Sequence, residues 1–162
     1  LAARSFVVSS FGKTYHVTGW KVGYILAPRE LMAEFRKVHQ FNVFTVNTPV
    51  QLALADYMAD ASRHLALAAF YQGKRDFFRA AMAGSRFELL PARGTYFQLA
   101  RYGAISDLGD AAFCAHLTRN VGVAAIPVSA FFADGRDERV IRFCFAKNEA
   151  TLAAACERLC KV

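Results

Sequence analysis

Long apolar runs are missing from this sequence. Its longest charge-free stretches, Gln40–Ala55 and Asn120–Ala133, are interrupted by Gln, Asn, Thr and Pro. Neither approaches the roughly 20 apolar residues a membrane span requires. A secretory leader is missing too, because Arg4 and the Ser9-Ser10 pair break any apolar core near the start. Cysteine is sparse: Cys114, Cys144, Cys156 and Cys160 show neither CxxC spacing nor the density of a secreted disulfide scaffold. No His or carboxylate pair completes a metal site around them, so they read as core thiols of a reducing, cytoplasmic compartment. Disorder is excluded by what is abundant: 55% of residues are hydrophobic, only 20% are charged, and Phe occurs 15 times. The first residue is Leu1, not Met, and it leads directly into strand-like sequence, which reads as a piece of a larger protein.

The net charge of +7 raises the question of nucleic acid. The excess is local: residues 1–60 carry +2, residues 61–100 carry +4 and residues 101–162 carry +1. Arg63, Lys74, Arg75, Arg79, Arg86 and Arg93 supply the middle segment, spread along one expected helix and the loop after it. Such a face reads as solvated, so neither a nucleic-acid nor a membrane partner is expected.

Periodicity divides the chain into two styles. Ser5–Ser10 reads as a buried strand ending in a small-residue turn, and Trp20–Ala27 as a second strand. Pro28-Arg29-Glu30 opens a helix with Leu31, Met32, Phe35 and Val38 on one face. Asn47-Thr48-Pro49 caps another helix over Val50–Ala59, and residues 63–84 form the longest helical stretch. Short strands follow at Phe87–Pro91 and Thr95–Leu99, then a helix over Asp110–Asn120. Val123–Ile126 and Arg139–Phe145 read as strands, and Asn148 caps a last helix. That helix places Leu152, Ala155, Cys156, Leu159 and Cys160 on one stripe. The expected fold class is α/β, with residues 1–62 the tail of one α/β domain. Residues 63–162 form a smaller α+β domain that includes the long helix.

Ser10-Phe11-Gly12-Lys13 sits where the first strand ends. Two chemistries place Ser and Lys at this spacing. Serine acyl transfer needs Ser10 at the head of a long helix, with S-D-N and K-T-G elements downstream. Here Ser106-Asp107 is followed by Leu108, and Gly12-Lys13-Thr14 has the wrong order. The other chemistry is imine formation by Lys13 with pyridoxal phosphate (PLP), with the Ser10 hydroxyl on the cofactor phosphate. Imine formation needs an amine that is neutral often enough to attack, a condition favoured by desolvation and by a neighbouring cation such as Lys21. Hydroxyls, backbone amides and one fixed cation together make an ordinary phosphate site.

The whole segment Ser9-Ser10-Phe11-Gly12-Lys13-Thr14-Tyr15-His16-Val17-Thr18-Gly19-Trp20-Lys21-Val22-Gly23-Tyr24 resembles the cofactor-lysine region of the fold-type I, class I/II aminotransferases. The nearest branch is that of methionine aminotransferase and the kynurenine (glutamine) transaminases. The resemblance continues through Val46–Gln51, Gly94–Phe97, Gly122–Pro127 and Ile141–Lys147, and so covers essentially the whole chain. It implies the end of the large PLP-binding domain followed by the small C-terminal domain. Lys13 then matches the Schiff-base lysine that also carries the proton between substrate Cα and cofactor C4′, and Ser10 matches the phosphate-contacting hydroxyl. Lys21 stands where most of the family has an arginine, keeping the charge but losing the bidentate fork. Arg142 matches the arginine that clamps the substrate α-carboxylate.

The strand pattern bears on Arg142 by itself. Ile141, Phe143 and Phe145 face one side and Val140, Arg142 and Cys144 the other. An arginine among apolar neighbours needs an anion, either a structural Asp or Glu or a bound carboxylate. Tyr15 and Trp20 are expected to pack around the lysine turn, and His16 and His39 to serve as packing or surface residues. Asn47 and Tyr96 are candidate pocket residues, the Phe77-Phe78 and Phe131-Phe132 pairs are expected mostly in the core, though an aromatic-rich pocket would suit apolar or aromatic amino acids, and Asp134–Asp137 reads as an exposed turn. The resemblance implies amino acid and 2-oxo acid substrates, with methionine, aromatic or glutamine-like donors, and a homodimeric parent. Family elements upstream of the lysine (the carboxylate at the pyridine nitrogen, the Asn and Tyr at the ring oxygen, the Gly-rich phosphate turn) find no counterpart, because the chain begins twelve residues before Lys13. The 162 residues alone are therefore expected to be inactive. The alternatives are a cysteine-conjugate C–S lyase of the same fold, a catalytically silent binding module, and a PLP-binding transcription regulator.

Overall fold

In the computed structural model, which describes all residues from Leu1 to Val162, the chain forms two compact units, Leu1–Leu67 and Ala68–Val162. The sequence pattern placed the division at 62/63. No helix is long and apolar enough to cross a membrane.

The first unit opens with β1 (Val7–Ser10), α1 (Phe11–Thr14) and β2 (Gly23–Leu26). β1 and β2 pair antiparallel, with Ser10 opposite Gly23 and Val7 opposite Leu26. Gly23 has no alternative, because a Cβ there would collide with the Ser9 carbonyl. α2 (Arg29–Asn42) starts after Pro28, which serves as its N-cap, one residue outside the expected start. α3 (Thr48–Met58) is capped as expected: the Asn47 side chain accepts from the Val50 N–H at 3.2 Å, with Pro at the first turn. The Asn47 side-chain oxygen is thereby engaged in a helix cap. The expected helix over 63–84 is two helices, α4 (Ser62–Leu65) and α5 (Leu67–Ala81). At Ala66 the N–H turns back to the carbonyls of both Ser62 and His64, tightening the last turn of α4.

β1 is not the buried strand its sequence suggested. Val7 and Val8 are exposed, as are Leu26 on β2 and Val38 on the expected inner face of α2. Among all residues of this unit, only Gly12 and Leu54 are buried. The apolar pattern is present, but nothing within the unit covers it.

The second unit is built the opposite way. β3 (Glu88–Leu89), β4 (Phe97–Arg101), β5 (Ile126–Pro127) and β6 (Val140–Cys144) make an antiparallel sheet in the order β3-β4-β6-β5. β5 is shorter and later than the expected 123–126 strand. The Asp110–Asn120 stretch splits into α6 (Asp110–His116) and a π-helical turn over Leu117–Val121. Gly122 ends that turn at φ +72°, where a Cβ would also press on the Arg158 guanidinium. α7 (Glu149–Leu159) is capped by Asn148, whose side chain accepts from the Thr151 N–H at 2.8 Å.

Phe78 of α5 and Met82 just after it, Phe113 and Leu117, Ile141, Phe143 and Phe145, and Leu152, Cys156 and Leu159 of α7 form one buried cluster. Phe87 meets Phe143 edge-on at 5.6 Å, and Tyr102 stacks on Phe113 at 4.2 Å. The basic residues of α5 are not merely solvated. Arg79 donates to the Leu90 carbonyl and the Gln98 amide oxygen, Arg75 to the Ala92 carbonyl, and Lys74 to the Lys147 carbonyl. The bonds to Leu90 and Ala92 satisfy the loop between β3 and β4, and that to Lys147 the segment before α7. Gln98, fully buried, returns its amide N–H groups to the Leu90 and Leu99 carbonyls.

The four cysteines are free, with Cys114 and Cys156 buried. Burial pushes both thiols up to about 11, helped at Cys114 by the nearby Asp110 and Asp137 charges and at Cys156 by Cys160. A raised thiol keeps its proton in the folded chain after the unfolded chain has lost it. Stability is therefore expected to be insensitive to these thiols below about pH 9 and to fall between about pH 9 and 11. Cys156→Ala should flatten that decline in denaturant titrations across the range. Truncation should separate the units as well. Phe143→Ala, at 3% exposure, is expected to cost about 3–5 kcal/mol, whereas Val8→Ala on exposed β1 should stay within about 0.5 kcal/mol; thermal melts of the two variants check this.

Candidate functional site

In the first unit Ser10 ends β1, Lys13 lies in α1 and Lys21 follows the next 3₁₀ turn. Ser10 ends β1 in extended conformation, and its Oγ accepts from the Gly12 N–H at 3.0 Å, capping α1. That uses the hydroxyl as acceptor and leaves its proton free to donate. Gly12 is the packing centre: the Val17 N–H and the Thr18 hydroxyl both bond its carbonyl, at 2.9 and 3.2 Å. A Cβ on Gly12 would press on Ser10 Oγ and Thr18 Cα, each at 3.2 Å. Lys13 is the third residue of the four-residue α1 and is exposed. The desolvation expected around it is therefore not supplied by this unit.

Lys21 follows a 3₁₀ turn over Thr18–Trp20 and adopts left-handed φ 55°, ψ 42°. For a residue with a Cβ this conformation costs about 1 kcal/mol, the kind of local strain that collects at functional positions. Neither Lys13 nor Lys21 forms an ion pair. An open groove of about 420 Å³ lies beside Ser10, walled by Phe11, Tyr15, Tyr24, Met58 and His64 among others. Tyr15 packs around the lysine turn as expected: it meets Phe11 at 6.0 Å and Tyr57 edge-on at 5.8 Å. Its hydroxyl lies 3.3 Å from His64 Nδ1, a partner nothing in the sequence signalled.

The second unit holds Arg142 at the middle of β6, opposite Leu99 on β4 and Ile126 on β5. Its neighbours Ile141 and Phe143 turn into the core, so Arg142 projects from the other face. The guanidinium carbon lies 3.9 Å from the Phe97 ring centre and 4.8 Å from that of Phe131. Nε is buried with no hydrogen-bond partner, and no carboxylate pairs with the side chain. The structural salt bridge that the strand pattern left open is absent.

Phe131 departs from expectation: it is 60% exposed and lies on the arginine, not in the core. Phe78 is core, and Phe77 packs against it. Tyr96 sits against Phe97 at 4.5 Å and Tyr71 at 5.8 Å, behind the ring that faces Arg142. The cluster Asp134–Asp137 is an exposed turn with Gly135 at φ +65°, but Asp137 also accepts from the Asp110 and Arg139 N–H groups, each at 2.7 Å.

Comparison with known proteins adds the following. A sequence profile described as Aminotransferase class I and II matches residues 2–159. Methionine aminotransferase of Escherichia coli is 57% identical over 160 residues, covering 98% of this chain and 42% of that protein. Kynurenine–oxoglutarate transaminase 1 of Homo sapiens is 32% identical over 180 residues, covering 98% and 43%. Among solved structures, an Escherichia coli protein identified with a methionine aminotransferase function superposes with a TM-score of 0.95 at 56% identity, covering 100% of this chain and 43% of that one. The N-succinyldiaminopimelate aminotransferase of Mycobacterium tuberculosis superposes at 0.84 with 36% identity, covering 99% and 42%. The chain thus spans about 42% of the length of the curated relatives it matches.

An arginine that helped to hold the fold together would be costly to remove, whereas one awaiting a ligand would not. Arg142→Met keeps the apolar stem between the rings and removes the unpaired charge. It is expected to leave the melting temperature unchanged or to raise it. A loss of several kcal/mol in chemical denaturation would instead mark Arg142 as a structural element.

Proposed function

The chain belongs to the class I and II aminotransferases and has the fold-type I architecture of PLP-dependent transferases, and from that premise we propose that it carries the cofactor lysine and the substrate-carboxylate arginine of such an enzyme. The observation that carries this reading is Arg142, a charge with no protein anion, framed by two aromatic rings. A substrate α-carboxylate is the partner its fork is built to take.

The donor set of the first unit fits pyridoxal phosphate. The segment between positions 10 and 21 supplies two unpaired ammonium groups and a hydroxyl with a free proton, chemistry suited to an aldehyde and a phosphate. Lys21 and the Ser10 hydroxyl would hold the phosphate, and Lys13 Nζ would bond the aldehyde carbon. When bound, the cofactor supplies that aldehyde and an electron sink for the carbanion at substrate Cα.

The chain's own residues then divide the work. Arg142 grips the carboxylate with two parallel N–H donors and so orients Cα. Lys13 Nζ, when not bonded to the cofactor, would take the proton from substrate Cα and carry it onward rather than give it back to Cα. Lys21 grips by charge alone, so the phosphate is held less rigidly than an arginine would hold it.

The amino donor is methionine or an aromatic or glutamine-like amino acid, and the acceptor a 2-oxo acid. The methionine and kynurenine relatives support this range, as do the apolar walls that Phe97 and Phe131 place beside Arg142. Residues 1–62 correspond in this reading to the end of the large cofactor-binding domain and residues 63–162 to the small domain. The parent enzyme is a cytoplasmic homodimer.

Incubation of the chain with PLP, borohydride reduction and peptide mapping by mass spectrometry tests the assignment. A pyridoxyl adduct on Lys13 is expected, lost in Lys13→Ala and needing more PLP in Lys21→Met. Adducts scattered over the surface lysines without preference for Lys13 would overturn it.

A further inference from the structure

Phe131 poses a physical problem. A ring that is 60% exposed gains little from burial, yet it lies 4.8 Å from the Arg142 guanidinium carbon. Apolar contact does not hold a residue so exposed in one place, so its backbone must be pinned from elsewhere.

The pin is visible. Phe131 ends a 3₁₀ turn over Ser129–Phe131, which leaves β5 two residues after Pro127. Both oxygens of the Asp110 carboxylate are bonded to the first residue of that turn. Oδ2 accepts from the Ser129 N–H and Oδ1 from its hydroxyl, each at 2.7 Å. Asp110 is 3% exposed and has no cation beside it. A buried carboxylate without a cation is costly unless donors fill it, and Ser129 supplies both. Asp110 is fixed in turn at the start of α6, where the Asp137 carboxylate accepts its N–H at 2.7 Å. The Val128 N–H bonds the Val140 carbonyl on β6 at 3.3 Å, tying the turn to the strand that carries Arg142.

We propose that Asp110 is a positioning residue for the anion site: through Ser129 it holds the turn that lays Phe131 over Arg142 and thereby sets the direction of the guanidinium fork. This rests on Arg142 being the carboxylate site, and two separate readouts keep the ideas apart. The Phe97 and Phe131 rings both lie against the guanidinium, with centroids 3.9 and 4.8 Å from its carbon. Losing one ring frees the long side chain to sample other rotamers.

The test uses the full chain with ¹⁵N-arginine labelling and follows the Arg142 Nε–H resonance, assigned by its loss in Arg142→Lys. In the unsubstituted chain the proton is expected upfield, shielded by the two rings. Ser129→Ala and Asp110→Asn should move it downfield and broaden it, Phe131→Leu should reproduce that shift, and Ser129→Thr, which keeps both donors, should restore it. Ser129→Ala retains the backbone donor and so guards against a misfolded Asp110→Asn.

Titration with hexanoate, an apolar monocarboxylate, should show about three- to tenfold weaker binding in Ser129→Ala and Phe131→Leu. An Arg142 resonance unmoved by Ser129→Ala, or moved by it but not by Phe131→Leu, would overturn the proposal. Shifts as expected, with no response to hexanoate in any form of the chain, would leave Asp110 as the positioning residue for Arg142 and overturn the carboxylate assignment instead.

Discussion

The pairing of β4 with β6 is the constraint on which the second unit depends. It sets Gln98 opposite Phe143 and Leu99 opposite Arg142. Because side chains alternate across a strand, this register sends Ile141 and Phe143 into the core and Arg142 out the other face. It also makes Phe97, two residues along β4 from Leu99, a diagonal neighbour of Arg142 on that face. A slip of one residue would bury the guanidinium against α5 and α7 and expose Phe143. The core and the anion site therefore share one determinant. Gln98 guards it: the buried amide bonds the Leu90 carbonyl on one side and accepts from Arg79 on the other. A shifted strand would leave those groups unpaired.

Much of this was legible in the sequence because it rests on local rules. Asn47 and Asn148 announced two helix starts through cap chemistry, and both cap bonds form. The i, i+3, i+4, i+7 stripe of the last helix buried Leu152, Cys156 and Leu159 as its spacing required. Motif order carried the family, since Ser10, Lys13, Lys21 and Arg142 all fall in matching segments. What escaped depends on residues far apart in the chain. Phe131 looked like core because two adjacent phenylalanines usually are; that it covers Arg142 follows from Asp110, nineteen residues from Ser129. Asp110 itself read only as a helix-start acid, and Arg75 and Arg79 as a solvated face. Hydropathy also overstated burial in β1, because an apolar strand reports what it would bury against and not whether that surface is present.

The two units place their charges under different physical terms. Lys13 and Lys21 sit in water, one on a four-residue helix and the other at a strained backbone position. Their charges cost little there, and equally they would attract a phosphate only weakly across a high dielectric. Arg142 is partly buried between rings, so its attraction for an anion is stronger, and so is the cost of standing alone.

That cost is met only in part. Two ring faces offset part of the desolvation of a guanidinium, on the order of 0.5–2 kcal/mol, but they leave its in-plane N–H donors unused. Ring contact does not satisfy the N–H donors in the guanidinium plane, and those donors are what a carboxylate takes. A protein selected only for stability would fill the space beside Arg142 with an acidic side chain or replace the arginine with an apolar one. Here two rings contact the guanidinium, β6 carries its stem, and Nε is left buried without a partner. A buried donor left unpaired costs stability, and that is the cost a ligand-binding position carries until its anion is bound, the role proposed for Arg142.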